Sequence, residues 1–354
     1  MERRKFLGKT LSASGATLAA SSVPFYIMPA RAKLEKTVLG HGDFTYRLER
    51  EWGDLNPEKY PVNNCHEMVM DRKGRLFMLT DHPKNNILVY DTSGRLLDHW
   101  TLGLPGAHGL TLHDQGGEEF LYITDPGLGR VIKSSLDGKI TMELDHPSKV
   151  GAYDEQLAFR PTETAIGPDG DIYIADGYGS QFILQYDVKG RFIRKFGGDS
   201  FLQESKFKQA HGVALDTRDS ANPTLICSAR IKNSFKRFSL EGEYLETFYM
   251  PGLFVSRPVL DGENIYSGVC FGMEKGNYNM QMNKGFVTIL DKENRVVSNP
   301  GGTEPIYENG KLQLMLQDQP VFKHCHDVCV DRDKNLYVCQ WNAGGVYPYK
   351  LHRV

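Results

Sequence analysis

One pattern recurs along this chain and constrains it more than any other feature. A short apolar strand ending in Asp leads to a turn with Gly or Asn. A strand of the type Leu-Tyr-Ile-Ala-Asp follows, then an apolar strand ending in an aromatic residue, a Gly turn and a last strand. The clearest copy runs from Thr164 to Gly198, where Asp169-Gly170, Asp176-Gly177 and Lys189-Gly190 punctuate three expected strands, 172–175, 182–186 and 191–196. Other copies begin near Met68, Leu110, Val213 and Val328. A degenerate copy runs from about Phe254 to Val297, with an irregular insertion, 271–284, inside it. A period of about 40 to 55 residues, four strands per unit and no helical periodicity predict the blades of a β-propeller. Each blade buries its faces only against its neighbours, so the ring must close. The rival all-β architecture, two packed β-sandwiches, would lack the repeat.

The last copy supplies three strands, expected at 328–331, 335–339 and 346–351, and then the chain ends. The N-terminal run Phe44-Thr45-Tyr46-Arg47-Leu48-Glu49-Arg50 reads as an orphan fourth strand. It is expected to complete the last blade and clasp the ring, leaving no open edge. The fold class is therefore all-β, a six-bladed propeller whose last blade is closed by an N-terminal strand, with residues 33–354 forming one domain.

The first 32 residues differ from the rest. Arg3-Arg4-Lys5-Phe6-Leu7 precedes a Ser/Ala/Gly/Leu-rich stretch and Ala30-Arg31-Ala32, which reads as a twin-arginine signal peptide with a small-residue cleavage site. A periplasmic or secreted protein is expected, free of the membrane once that segment is removed. With 42 Lys and Arg against 44 Asp and Glu, the chain has no basic field for a nucleic-acid backbone to read. The six cysteines are too scattered for a disulfide scaffold, and none forms a CxxC pair. Buried free thiols are expected for most of them.

In a propeller the innermost strand of each blade lines the central channel, so residues just before those strands converge near one mouth. Here that position is rich in histidine: His66 precedes Met68-Val69-Met70-Asp71, His108 precedes Leu110-Thr111-Leu112, His211 precedes Val213-Ala214-Leu215-Asp216, and His326 precedes Val328-Cys329-Val330-Asp331. The third blade has Thr162 there. Folding of the repeat does not require imidazole, and imidazole is a common ligand for zinc, copper, iron and nickel. His108, His211 and His326 fall in alternate blades, so three donors spaced round the axis are expected to meet at one ion. His66 and His324 are weaker candidates. A polar channel lined by hydrogen-bonded histidines is the plainer alternative. Two further residues are marked by position, Tyr178 after the second strand of the third blade and Arg230 at the matching place in the fourth. A phenol beside a cation can serve as a base, and a guanidinium grips a carboxylate through two parallel bonds.

With these residues in view, the chain from about Val62 to Leu351 resembles the NHL-repeat propellers, and among them peptidyl-α-hydroxyglycine α-amidating lyase. That family releases glyoxylate from a hydroxyglycine-ended peptide and leaves an amide. Ala107-His108-Gly109-Leu110, Ala210-His211-Gly212-Val213 and Cys325-His326-Asp327-Val328 match the segments carrying the family's zinc histidines. Asp176-Gly177-Tyr178 matches the segment with its catalytic tyrosine, and Ala229-Arg230 the segment with an active-site arginine. The resemblance also implies a second, calcium site, with Asp327 and the carbonyls of Met68 and Leu110 as ligands. The chain departs from the family in the first blade, where Leu79-Thr80-Asp81-His82 lacks a substrate-binding arginine. Gly179 stands where a half-cystine is expected, and Cys227 lacks a partner. The resemblance implies a zinc-dependent carbon–nitrogen lyase acting on a small molecule or peptide that bears a carboxylate. The alternative is a non-catalytic propeller that binds a protein or carbohydrate at its mouth.

Overall fold

The computed structural model describes residues 35–53 and 56–354; residues 1–32, read from the sequence as a twin-arginine signal, lie outside them. Five blades follow one another along the chain. The first four are four-stranded antiparallel sheets that begin with the inner strands Cys65–Met70, Leu110–Gln115, Glu163–Ile166 and Ala210–Asp216. The sixth blade is built from both ends of the described chain. Its strands Cys325–Val330, Leu336–Gln340 and Tyr349–Arg353 are joined by Phe44–Glu49, with Val38–His41 outside that. Leu48 pairs with Leu351 and Tyr46 with Arg353, so the N-terminal strand is the clasp that the repeat count demands. Among the described residues there is no α-helix, only two short 3-10 turns, and no helix long and apolar enough to cross a membrane.

The repeat's Asp and Gly positions have a local physical basis. At the end of a strand Asp187 accepts hydrogen bonds on Oδ1 from the backbone N–H groups of Lys189 and Arg191, both at 2.9 Å. This closes a tight turn through Gly190, whose φ of 76° is the left-handed conformation that glycine adopts without strain. Asp71, Asp91, Asp291 and Asp331 each accept in the same way from residues two and four further on. The core lies between blades. Phe77, Leu79 and Ile87 of the first blade pack with Leu110, Leu121 and Ile123 of the second, while Tyr46 and Leu48 pack with Val338 and Leu351 of the sixth and Val287 and Ile289 of the fifth. All six cysteines are buried free thiols, as expected.

The fifth blade differs from its sequence reading. Its inner strand is broken into Phe254–Val255 and Val259–Asp261, both paired with Asn264–Glu274 and separated by Ser256-Arg257-Pro258. Proline cannot donate to a ladder, which accounts for a break at this point. The insertion is not irregular: Asn264–Glu274 runs 11 residues, and its end pairs with Asn277–Gln281 as a hairpin whose second arm is largely exposed. In the last blade the third strand is Tyr349–Arg353 rather than 346–351.

Candidate metal centre and substrate pocket

The four histidines that precede inner strands meet at one mouth of the channel. The ring centroids of His66, His108, His211 and His326 lie 4.6–5.1 Å apart in five of their pairings, and all four are buried. Two of them are held rigidly. His108 Nδ1 lies 2.8 Å from the Thr162 carbonyl and His326 Nδ1 lies 3.0 Å from the His66 carbonyl. A ring nitrogen facing a carbonyl must donate, so Nδ1 carries the proton in both rings and each Nε2 presents a lone pair. These two Nε2 atoms lie 3.2 Å apart. Burial first, and then the neighbouring positive groups, hold His108, His211 and His326 well below the ordinary histidine pKa, so the rings are neutral. Two neutral lone pairs that converge in this way repel one another unless a cation lies between them. Nδ1–H groups fixed on carbonyls are also the usual outer support of metal-binding histidines.

Donor atoms of His66, His108 and His326 all lie within 4.8 Å of one another, a group that could hold a metal ion. His66 is oriented by Asp81, whose Oδ2 is 3.4 Å from His66 Nε2, while His66 Nδ1 is buried without a partner. Burial acts to raise the Asp81 pKa, but the His66 contact and two bonds from Asn64 outweigh it and keep its carboxyl below the usual range. The stretch 79–82, where the resemblance implies a cation, therefore supplies an anion that aims a histidine. His211 joins the crown differently, its Nε2 lying 3.1 Å from the Tyr178 hydroxyl. Tyr178 Oη is also 3.1 Å from His108 Nε2, so the phenol bridges two of the rings. His324 stands apart. Its Nδ1 faces the Trp341 carbonyl and its Nε2 accepts from Asn283 N–H, so it braces the loop after the hairpin.

Above the crown opens a cavity of about 570 Å³ lined by His108, His326, Tyr178, Arg230, Arg160 and Cys270, with Phe271, Met280 and Trp341 as its apolar side. Arg230 is 1% exposed. Its Nε donates to the Val255 carbonyl at 3.0 Å and its Nη2 to Ser256 Oγ at 2.9 Å, and no carboxylate pairs with it among the described residues. Buried charges are ordinarily paired, so a guanidinium with only neutral partners in a cavity wall is suited to receive an anion. Burial raises the Tyr178 pKa, and Arg230 opposes that rise.

The groups expected to hold calcium have another partner. Asp327, the Met68 carbonyl and the Leu110 carbonyl are all engaged by the guanidinium of Arg257. Its Nε donates to Asp327 Oδ1 at 2.8 Å, its Nη2 to Asp327 Oδ2 at 2.9 Å and to Met68 O at 3.1 Å, and its Nη1 to Leu110 O at 2.6 Å. The cation at this position is the chain's own side chain, because the broken inner strand of the fifth blade carries an arginine there. Sequence reasoning missed Arg257, although a signal was present. The residue after each channel slot reads Glu67, Gly109, Glu163, Gly212, Arg257 and Asp327 round the ring, a second tier of charge with two glycines.

Fold and site together define a six-bladed β-propeller with a buried histidine crown at the mouth of its channel. Its relatives among known proteins include amidating lyases and NHL-repeat proteins. A probable peptidyl-alpha-hydroxyglycine alpha-amidating lyase of Caenorhabditis elegans is 28% identical over 238 residues, covering 58% of this chain and 67% of that protein. Human NHL repeat-containing protein 3 is 29% identical over 180 residues, covering 49% of this chain and 51% of that protein, so the match spans only about half of this relative. No family model matches the chain. Among solved structures, a streptogramin B lyase aligns with a TM-score of 0.55 at 15% identity over 87% of this chain and 97% of its own. A gluconolactonase from Xanthomonas campestris aligns at 0.59 and 13% over 92% of this chain and 99% of its own. At such identities these two structures speak for the fold alone.

Proposed function

We propose that this protein is an exported, metal-dependent lyase that cleaves the carbon–nitrogen bond of a substrate ending in an α-hydroxyglycine-like carboxylate. The observation that carries the reading is the convergence of the His108 and His326 Nε2 lone pairs, each ring locked from behind. A divalent ion such as zinc, held by His108 and His326 with His66 as a further donor, would supply Lewis-acid polarisation of the substrate hydroxyl. Arg230 holds the substrate carboxylate, and the apolar side of the cavity takes the group beyond the scissile bond. Tyr178 Oη accepts the hydroxyl proton while its own proton moves to His211 Nε2. The C–N bond breaks with its electron pair going to nitrogen, the hydroxyl-bearing carbon becomes an aldehyde, and the nitrogen takes a proton back along the same path. Products are an amide and an aldehyde acid, with atoms and charge balanced.

The test is release of glyoxylate from an N-acyl-α-hydroxyglycine by purified protein, before and after chelation and after zinc is restored. Turnover that disappears with the chelator and returns with zinc supports the reading. Metal-loaded protein that releases no glyoxylate contradicts the reaction, and activity indifferent to chelation contradicts the metal. Export through the twin-arginine route belongs to the same proposal, and a mature N-terminus near Lys33, read by mass spectrometry from the periplasmic or secreted fraction, is its check.

A further inference from the structure

We infer that Arg257 is the positioning residue of the histidine crown, a fixed internal cation that ties together the four strand segments lying directly behind His66, His108, His211 and His326. The register of contacts supports this assignment. Its guanidinium binds the carbonyl two residues after His66, the carbonyl two residues after His108, and the carboxylate one residue after His326. The remaining segment is met by the backbone. A Cβ on Gly212, the residue after His211, would lie 2.4 Å from Arg257 Cα, so only glycine admits this approach. One side chain from the fifth blade thus reaches the first, second and sixth blades across the channel, and its main chain packs on the fourth.

The guanidinium is saturated. It has five N–H donors, and five oxygens lie within 3.2 Å of it, both of Asp327, Met68 O, Leu110 O and Glu67 Oε2, with Glu163 Oε2 further out at 3.8 Å. Glu67 in turn accepts from Leu110 N–H at 2.6 Å, and Asp327 accepts from Met68 N–H at 3.0 Å, so the same acids that hold the arginine also join the first blade to its neighbours. Arg257 is only 8% exposed. A lysine carries the charge but has three donors and no planar fork, so it could not satisfy these oxygens together. With no contact to the cavity, Arg257 acts on the histidines through the backbone that carries them. Outer-shell groups of this kind typically change metal affinity by about 10–100-fold.

The inference rests on the proposed metal role of the crown, and the experiment separates the two. Arg257→Lys is compared with wild type by circular dichroism, by zinc affinity in chelator competition, by the visible spectrum of the cobalt-loaded protein, and by histidine ring ¹⁵N resonances of the metal-free protein. The expected result is a folded variant with about 10–100-fold weaker zinc binding, a shifted cobalt spectrum and altered ring resonances. A folded variant with wild-type affinity, cobalt spectrum and resonances overturns the proposal. If the lysine variant does not fold, Asp327→Asn, which removes one charge but keeps the shape, is read by the same criteria. If wild type binds neither zinc nor cobalt, the metal reading fails by itself. The ring resonances then decide the role of Arg257: altered in the variant supports positioning, unchanged refutes it.

Discussion

Replacing Arg230 tests the proposal that the cavity recognises a carboxylate substrate. The guanidinium has five N–H donors, of which Val255 O and Ser256 Oγ take two, so three remain for Tyr178 and a ligand. Two of these suffice for a bidentate grip on a carboxylate. Hydrogen bonds to charged groups contribute about 1.5–3 kcal/mol each, so the pair contributes roughly 3–6 kcal/mol, and each 1.4 kcal/mol is about a factor of ten. Arg230→Gln is therefore expected to lower kcat/KM by about 10²–10⁴ for a substrate with a free carboxylate. The same variant should lose far less on the carboxamide analogue, which offers no negative charge to hold. The assay is steady-state kinetics on the matched acid and amide, with wild type and variant at equal metal content. Equal losses on the two substrates would refute the reasoning, because the arginine would then be shaping the cavity rather than pairing with an anion.

Tyr178→Phe removes the hydroxyl that bridges His108 and His211, and should keep metal and fold while reducing turnover by about 10²–10⁴-fold; metal analysis beside kinetics checks this, and undiminished turnover rejects the base. Leu48→Ala, in the clasp strand at 1% exposure, should cost about 2–5 kcal/mol in urea unfolding, and a cost under about 1 kcal/mol would mean that the clasp does not hold the ring. At Asp216 burial acts to raise the pKa, but hydrogen bonds from Arg218 and Arg237 outweigh it and hold the carboxyl at about 2, below its ordinary 3.8. A depressed folded-state pKa contributes stability that is complete above about pH 4 and is lost as pH falls towards 2. Asp216→Asn should flatten that acid limb of the stability profile, and an unchanged slope would show that other acids carry it.

The propeller was legible because its turns are chemical. An Asp that caps its own turn and a glycine at positive φ recur at fixed offsets, and apolar strands lie between them. The crown was legible for a related reason, since histidine at one repeat position serves no folding need. What escaped was whatever depends on side chains crossing between blades. Asp81 reaches His66 from the neighbouring strand, and Arg257 reaches the first, second and sixth blades from the one repeat too degenerate to align. Convergence of donors was legible as blade geometry, but the set was not. The alternate-blade spacing favours His211 beside His108 and His326, whereas the donor atoms found within 4.8 Å of one another are those of His66, His108 and His326, with His211 engaged by Tyr178. Ring orientation decides that difference, and a linear pattern does not encode it. The hairpin 264–281 was hidden because its polar, Asn-rich arm lacks the apolar alternation of a buried strand.

His108 and His326 are proposed to turn their lone pairs towards a metal ion. The most direct test is elemental analysis of the mature protein, purified without added chelator and again after equilibration with zinc, for wild type, His108→Ala and His326→Ala. About one transition-metal ion per wild-type chain is expected, with a large loss in both variants, each remaining folded by circular dichroism. Wild-type protein that holds no metal after zinc equilibration, or variants that retain it fully, would contradict the claim and leave the crown as hydrogen-bonded channel lining.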